Sequence, residues 1–397
     1  MKILKNVLFL LVLVTWVFHG TPIALAQAEP NTDNDLFMPL VTNARAGGGN
    51  PADLVATKVI SPEEQQATIA YWTRDAIATA KPMALPAQMA PAQVDAAALA
   101  EPAVSGPPVV VPPGAAAPDA NQVAQTAYPQ DWAALADEAA ATVEAAAVLA
   151  PDGSSQVYTS YIVNGAAVLQ TLYPHRWIGR LSFRLPDGSA SFCSGTSIRG
   201  NVMLTAAHCL YDSTTNRWFS NWVFTPAYRN GNAPFGTFVA TQCWVLNSWI
   251  NLTGGFSINT WAPNDVGVCR MGTNSADVTL NNAVGFMGYQ ANMPTVRHFH
   301  NLGYPLRDYT NALLPNAGAF LRTCVAESFL QATEVRGMGC NLGGGISGGP
   351  WMVGYAPGVV TGVVDSVNSG LFFGSQNLYG GRFNNNNIIP LCRTAGC

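Results

Sequence analysis

All eight cysteines of this 397-residue chain lie in its back half: Cys193, Cys209, Cys243, Cys269, Cys324, Cys340, Cys392 and Cys397. An even number confined to one region, with no CxxC pair and only five His in total, is the pattern of four disulfides and not of a metal cluster. Such cross-links form in an oxidising compartment and restrict the back half to a stapled domain. The front half differs in charge as well. Residues 27–156 hold two Lys, two Arg and fifteen acids, a net of −11; residues 157–397 hold thirteen Arg, no Lys and eight acids, a net of +5. An acidic leader therefore precedes a mildly basic disulfide domain. The total of −4 carries no basic footprint and argues against a nucleic-acid partner.

Lys2 and Lys5 precede an apolar run over residues 7–18, broken only by Thr15, and Ala24-Leu25-Ala26 supplies the small residues of a cleavage site. Residues 1–26 read as a signal peptide, because a run of about a dozen residues is short for a span needing roughly 20. The expectation is a secreted, extracellular protein with no membrane association after cleavage. In the leader, residues 27–56 show no period and read as disordered. Ser61-Pro62-Glu63-Glu64 predicts a helix start running to about Ala80. Residues 82–128, rich in Ala, Pro and Val, predict a semi-extended linker, residues 131–149 a second helix, and Pro151-Asp152-Gly153 a turn. Residues 27–156 are expected to form a removable prosegment that masks the basic domain or helps it fold.

From Trp177 onward the pattern changes to short apolar or alternating runs, such as 192–198, 239–246, 266–271 and 359–364, separated by Gly, Pro and Asn. Many short strands without a long amphipathic helix predict an all-β sandwich or barrel, and the length suits two. Two motifs in this half carry chemistry. One is Leu204-Thr205-Ala206-Ala207-His208-Cys209, the other Gly343-Gly344-Gly345-Ile346-Ser347-Gly348-Gly349-Pro350. A serine hydroxyl needs a base within hydrogen-bond reach, and an imidazole suits that task near neutral pH. The oxyanion of a tetrahedral intermediate needs backbone N–H donors, for which Gly345 and Ser347 are the candidates. The carboxylate that orients His208 must come from Asp212, Asp265, Asp277, Asp308, Glu327, Glu334 or Asp365. Asp265, at the head of the apolar run 266–271, has the context of a buried, fixed group; Asp365 is the next choice.

These motifs, in the order His, Asp, Ser, resemble those of the chymotrypsin-like serine peptidases, above all the secreted microbial branch related to glutamyl endopeptidases. The resemblance covers residues 157–397. It implies two six-stranded antiparallel β-barrels, about 157–275 and 276–397, with His208 and Asp265 on the first and Ser347 on the second. It implies a secreted serine endopeptidase acting through an acyl-enzyme on protein or peptide substrates, made as a zymogen, monomeric and without a cofactor or metal. The family's disulfide around the histidine loop implies Cys193–Cys209; Cys243–Cys269, Cys324–Cys340 and Cys392–Cys397 follow on proximity alone. Departures from the family's patterns are informative. Ile346 stands where animal relatives carry the Asp that pairs with a new N-terminus, so activation must work otherwise. Asn341 replaces trypsin's acid six residues before the nucleophile, and Gly362-Val363-Val364-Asp365 lacks the His of glutamyl-specific relatives. Ser366, Val367 and Asn368 are expected to pair with substrate backbone. The alternatives are a catalytically silent binding relative and an esterase using the same site.

Other groups carry less. His175, His298 and His300 lack an acidic or Cys cluster and read as surface or core residues, with His298 and His300 on one strand face. Trp177 and Trp351 read as core. Asn251-Leu252-Thr253 fits the glycosylation pattern.

Overall fold

The computed structural model describes residues 54–84, 86–89, 106–117, 144–149, 155–163, 167–252 and 257–397. The signal peptide, the expected disorder before residue 54, the turn at 151–153 and Thr253 of the glycosylation triplet lie outside these. The described residues belong to one compact unit, Gly49–Cys397.

Six strands rich in Val, Leu, Phe and Cys make the first barrel: β1 (Ile178–Arg184), β2 (Ala190–Ile198), β3 (Val202–Thr205), β4 (Ser220–Pro226), β5 (Phe238–Leu246) and β6 (Gly267–Met271). Their antiparallel ladder runs β5-β4-β1-β2-β3-β6 and closes where β6 returns to β5. Closure leaves Ile178, Leu181, Phe183, Phe192, Leu204, Phe224 and Val268 fully buried, and it removes most of the free edge that an open sheet would expose.

The second barrel contains β8 (His298–Gly303), β9 (Arg322–Ala332), β10 (Val335–Gly339), β11 (Pro350–Val353), β12 (Val363–Val367), β13 (Gly370–Phe373) and β14 (Asn377–Gly381), with β7 (Gly288–Ala291) parallel to β12. β12 and β13 act as one strand bent at Asn368-Ser369. The first part pairs with β11 and the second with β14, so six strand positions close the ring β11-β8-β9-β10-β14. Ser155–Ile162 pairs with β9, so this strand joins the second sheet although it precedes the first barrel in sequence, unlike the expected boundary near residue 157. The cysteines are joined as Cys193–Cys209, Cys243–Cys269, Cys324–Cys340 and Cys392–Cys397. Cys243 and Cys269 face each other across β5 and β6.

The leader is built into both sheets. Val55–Val59 lies antiparallel on β5, with Lys58 opposite Cys243. The helix predicted from Ser61 begins as expected: the Ser61 hydroxyl accepts from the Glu64 N–H at 3.2 Å, and Glu64 accepts from the Ser61 N–H at 2.9 Å. It does not reach Ala80 as one piece. Pro62–Tyr71 stops at Trp72, whose buried indole N–H donates to the Asn221 carbonyl at 2.6 Å. Thr73 then caps a second helix, Arg74–Thr79. Within the expected linker, Ala87–Met89 pairs with β13 and Val109–Val111 with β7. Glu144–Leu149 is a strand on Ser155–Ile162 where a helix was predicted; the rest of that predicted helix lies outside the described residues. Local propensity yields here to pairing with a neighbouring strand.

Candidate active site

The register of two first-barrel strands brings the first pair of groups together. Thr205, the last residue of β3, is opposite Gly267, the first of β6. His208 follows β3 by one turn of 3₁₀-helix, Ala207–Cys209, stapled to β2 through Cys193–Cys209. Asp265 precedes β6 at the end of the 3₁₀ turn Ala262–Asn264. The two therefore meet at the same end of the barrel. Asp265 is fully buried. Its Oδ1 accepts from the His208 backbone N–H at 2.8 Å, and its Oδ2 lies 2.7 Å from His208 Nδ1. The Ser369 hydroxyl donates to the same Oδ2 at 2.6 Å. Three donors compensate the buried carboxylate for lost water. With Nδ1 donating to Asp265, Nε2 is the acceptor nitrogen of the neutral ring.

Ser347 reaches the first barrel from the second. Its carbonyl accepts from the Ser194 N–H at 2.7 Å. Gly348, at φ +75°, packs so tightly that an added Cβ would lie 2.0 Å from Thr205 Oγ1 and 2.7 Å from the Ala206 nitrogen. The serine turn thus abuts the chain that leads into His208, and only glycine permits the approach. Ser347 Oγ and His208 Nε2 are both buried, and neither has a hydrogen-bond partner among the described residues. Buried polar atoms normally have one. Gly345, at φ +98°, donates its N–H to the Met83 carbonyl of the leader at 3.1 Å.

Asn341 is half-buried beside the Cys324–Cys340 bridge, its Oδ1 3.9 Å from Cys324 Sγ. Ser366, Val367 and Asn368 are buried. Ser366 and Val367 are already paired with Trp351 and Pro350 of β11. The Asn368 amide is held by Asn301 and the Ile346 carbonyl. After Asn368 the chain continues into β13, which meets another extended segment through Leu371–Phe373. Asp365 belongs to a buried ion cluster, 2.9 Å from Arg336 and 3.2 Å from Arg297. Ser369 was not anticipated; its only signal is a polar Asn-Ser pair directly after an apolar strand. His298 and His300 share a strand face, and the His300 ring stacks on Tyr355 at 4.2 Å. His175 is buried with Nε2 2.7 Å from the Tyr355 hydroxyl. Trp177 and Trp351 are core residues. Cys193, His208 and Cys209 bring their ligand-type atoms within 4.8 Å, but the two cysteines are bonded to each other and offer no thiolate.

Comparison with known proteins matches residues 162–372, a little over half of the chain, to the family model described as Trypsin. Among curated proteins, an extracellular metalloprotease of Bacillus subtilis (strain 168) is 30% identical over 80 residues, 20% of this chain. The match spans only 25% of that relative's length. Among solved structures, the protease Anisep from Arthrobacter nicotinovorans is 30% identical, with 56% of this chain and 96% of that chain covered at a TM-score of 0.47. The thermostable serine protease AL20 from an extremophilic microorganism is 24% identical, with 56% and 98% covered and a TM-score of 0.47. A Glu endopeptidase is 18% identical, with 60% and 97% covered and the same TM-score of 0.47.

Proposed function

The chain belongs to the trypsin family, and from that premise we propose that it is a secreted serine endopeptidase made as a zymogen. One observation carries the chemistry. Asp265 grips His208 by two hydrogen bonds and leaves Nε2 as the acceptor, while Nε2 and the Ser347 hydroxyl are both buried without a partner among the described residues. In the reaction, Nε2 takes the hydroxyl proton as Ser347 Oγ bonds to the substrate carbonyl carbon. Asp265 stabilises the resulting imidazolium. The N–H groups of Gly345 and Ser347 are the proposed donors to the oxyanion. Collapse breaks the C–N bond, and the imidazolium returns its proton to the leaving amine. Water, deprotonated by the same nitrogen, then attacks the acyl carbon; the Oγ–acyl bond breaks, the acid product leaves and the imidazolium returns the proton to Ser347 Oγ. Asn341 is the proposed uncharged floor of the pocket for the substrate side chain. The four disulfides support an oxidising destination.

Activation is by loss of the leader, because Ile346 is buried in the core and offers no carboxylate for a new N-terminus. The secreted active form is expected to begin between about residues 150 and 175. N-terminal sequencing of the fluorophosphonate-labelled protein checks this; full activity in a chain still starting at Gln27 would count against masking. Ser347→Ala should abolish labelling and lower kcat on denatured casein by roughly a million-fold, the loss typical when a triad nucleophile is removed. Unchanged hydrolysis by that variant would remove Ser347 from the mechanism.

A further inference from the structure

The acceptor on the Gly345 N–H is part of the chain itself. Lys81–Pro82 lies parallel on β2, opposite Ser191 and Phe192, and the Met83 N–H donates to the Phe192 carbonyl at 2.7 Å. The Met83 carbonyl then accepts from Gly345, two residues before Ser347, at 3.1 Å. Three residues on, the Pro86 carbonyl accepts from the Leu371 N–H at 3.1 Å, and Ala87–Met89 continues parallel to β13. Residues 81–84 thus lie against the first barrel and the serine turn, and residues 86–89 against the second barrel. Met83, Ala84 and Pro86 form one wall of a cleft of about 930 Å³, and His208, Trp249 and Trp261 contribute to the others.

We propose that residues 81–84 and 86–89 act as an inhibitory strap: each piece is added to a strand of one barrel, and the Met83 carbonyl sits on the N–H that the reaction needs for the oxyanion. The proposal rests on the peptidase reading and deepens it by identifying the blocking segment. The strap occupies the site without engaging the reactive atoms, since neither Ser347 Oγ nor His208 Nε2 bonds to it. Its hold comes from upstream. Trp72, Ile77 and Ala80 are buried in the main hydrophobic core cluster, and Val55–Val59 is a strand on β5. This anchor keeps the strap at a high effective concentration over the cleft. A cut after residue 89 leaves all these contacts in place. Backbone cleavage and release of inhibition are therefore separate events, and full activity requires that the anchor also be digested or dissociate.

The test compares fluorophosphonate labelling rates of the purified unprocessed chain, the processed form freed of its leader, and two unprocessed variants. Met83→Pro removes the N–H that bonds to Phe192. Trp72→Ala loosens the anchor while leaving residues 81–89 unaltered. The unprocessed wild-type chain should label on the order of a hundredfold more slowly than the processed form, and each variant should recover a large part of that difference. The strap is refuted if the unprocessed chain labels as fast as a processed form that hydrolyses peptides, or if both variants stay as slow as wild type. Mass spectrometry showing cleavage between Met83 and Ala84 at the rate of an ordinary substrate also refutes it, because the segment would then be a substrate. A processed form that never labels overturns the peptidase reading, and the strap with it.

Discussion

At the scale of single residues, two buried aspartates of similar exposure have opposite duties, and their partners separate them. Asp265 accepts from a histidine backbone, a histidine ring and a serine, all aimed at one small carboxylate. Asp365 faces two guanidinium groups. Only the first arrangement orders an imidazole. Asp265→Asn should leave the fold intact, because an amide can occupy the same space, but it presents a donor where Nδ1–H needs an acceptor. The ring then favours the wrong tautomer, and kcat of the processed enzyme should fall by about 10⁴-fold. A steady-state assay at saturating peptide reads this directly, and a loss of less than tenfold would remove Asp265 from its orienting role.

At the scale of elements, the β12 and β13 strand is the part of the second barrel on which most depends. Asp365 lies within β12, where Arg336 of β10 reaches it from across the barrel. Both side chains are fully buried, so removing one leaves an uncompensated charge. Asp365→Ala should cost about 3–5 kcal/mol of stability. A lower urea midpoint with an unchanged slope is the expected result. Below the transition the variant should keep kcat/KM within a few-fold, since its carboxylate does not touch His208. The next residues, Asn368 and Ser369, bend the strand. One side of the bend braces the serine loop through the Ile346 carbonyl, and the other steadies Asp265. One corner therefore links the Ser347 loop to Asp265.

At the scale of the whole molecule, the two barrels are also joined away from the cleft. His175, just before β1, bonds to the Tyr355 hydroxyl beyond β11, and the Gly358 N–H donates to the Tyr173 carbonyl at 2.7 Å. Burial pulls the His175 imidazole down to about 4; burial, then the neighbouring His298 and His175, brings His300 to about 4 as well. The folded chain therefore resists protonation at these rings while the unfolded chain does not. Their contribution is complete above about pH 6.5 and is lost as pH falls towards 4. For His175 it amounts to about 3 kcal/mol. Unfolding midpoints measured from pH 7 to pH 4.5 should fall for wild type. A His175→Gln variant, which cannot titrate, should show a shallower fall over the same window, and an identical slope would remove His175 as the source. The leader belongs to this scale too, because its strands extend both sheets.

The features readable without coordinates are local ones. Side chains a few residues apart suffice to identify the Ser61 cap, the histidine and glycine-serine motifs and the short-strand character of the back half. Asp265 was legible because a carboxylate heading an apolar strand has few other uses. What the tertiary structure decided is non-local. The closure of each barrel, Ser369 as a further partner of Asp265, the pairing of β13 with Ala87–Met89, and the strands hidden in a Pro-rich leader all depend on which distant edge is free. A strand's own residues specify its two faces, whereas its hydrogen-bonding edges are filled by whatever segment the finished topology brings alongside.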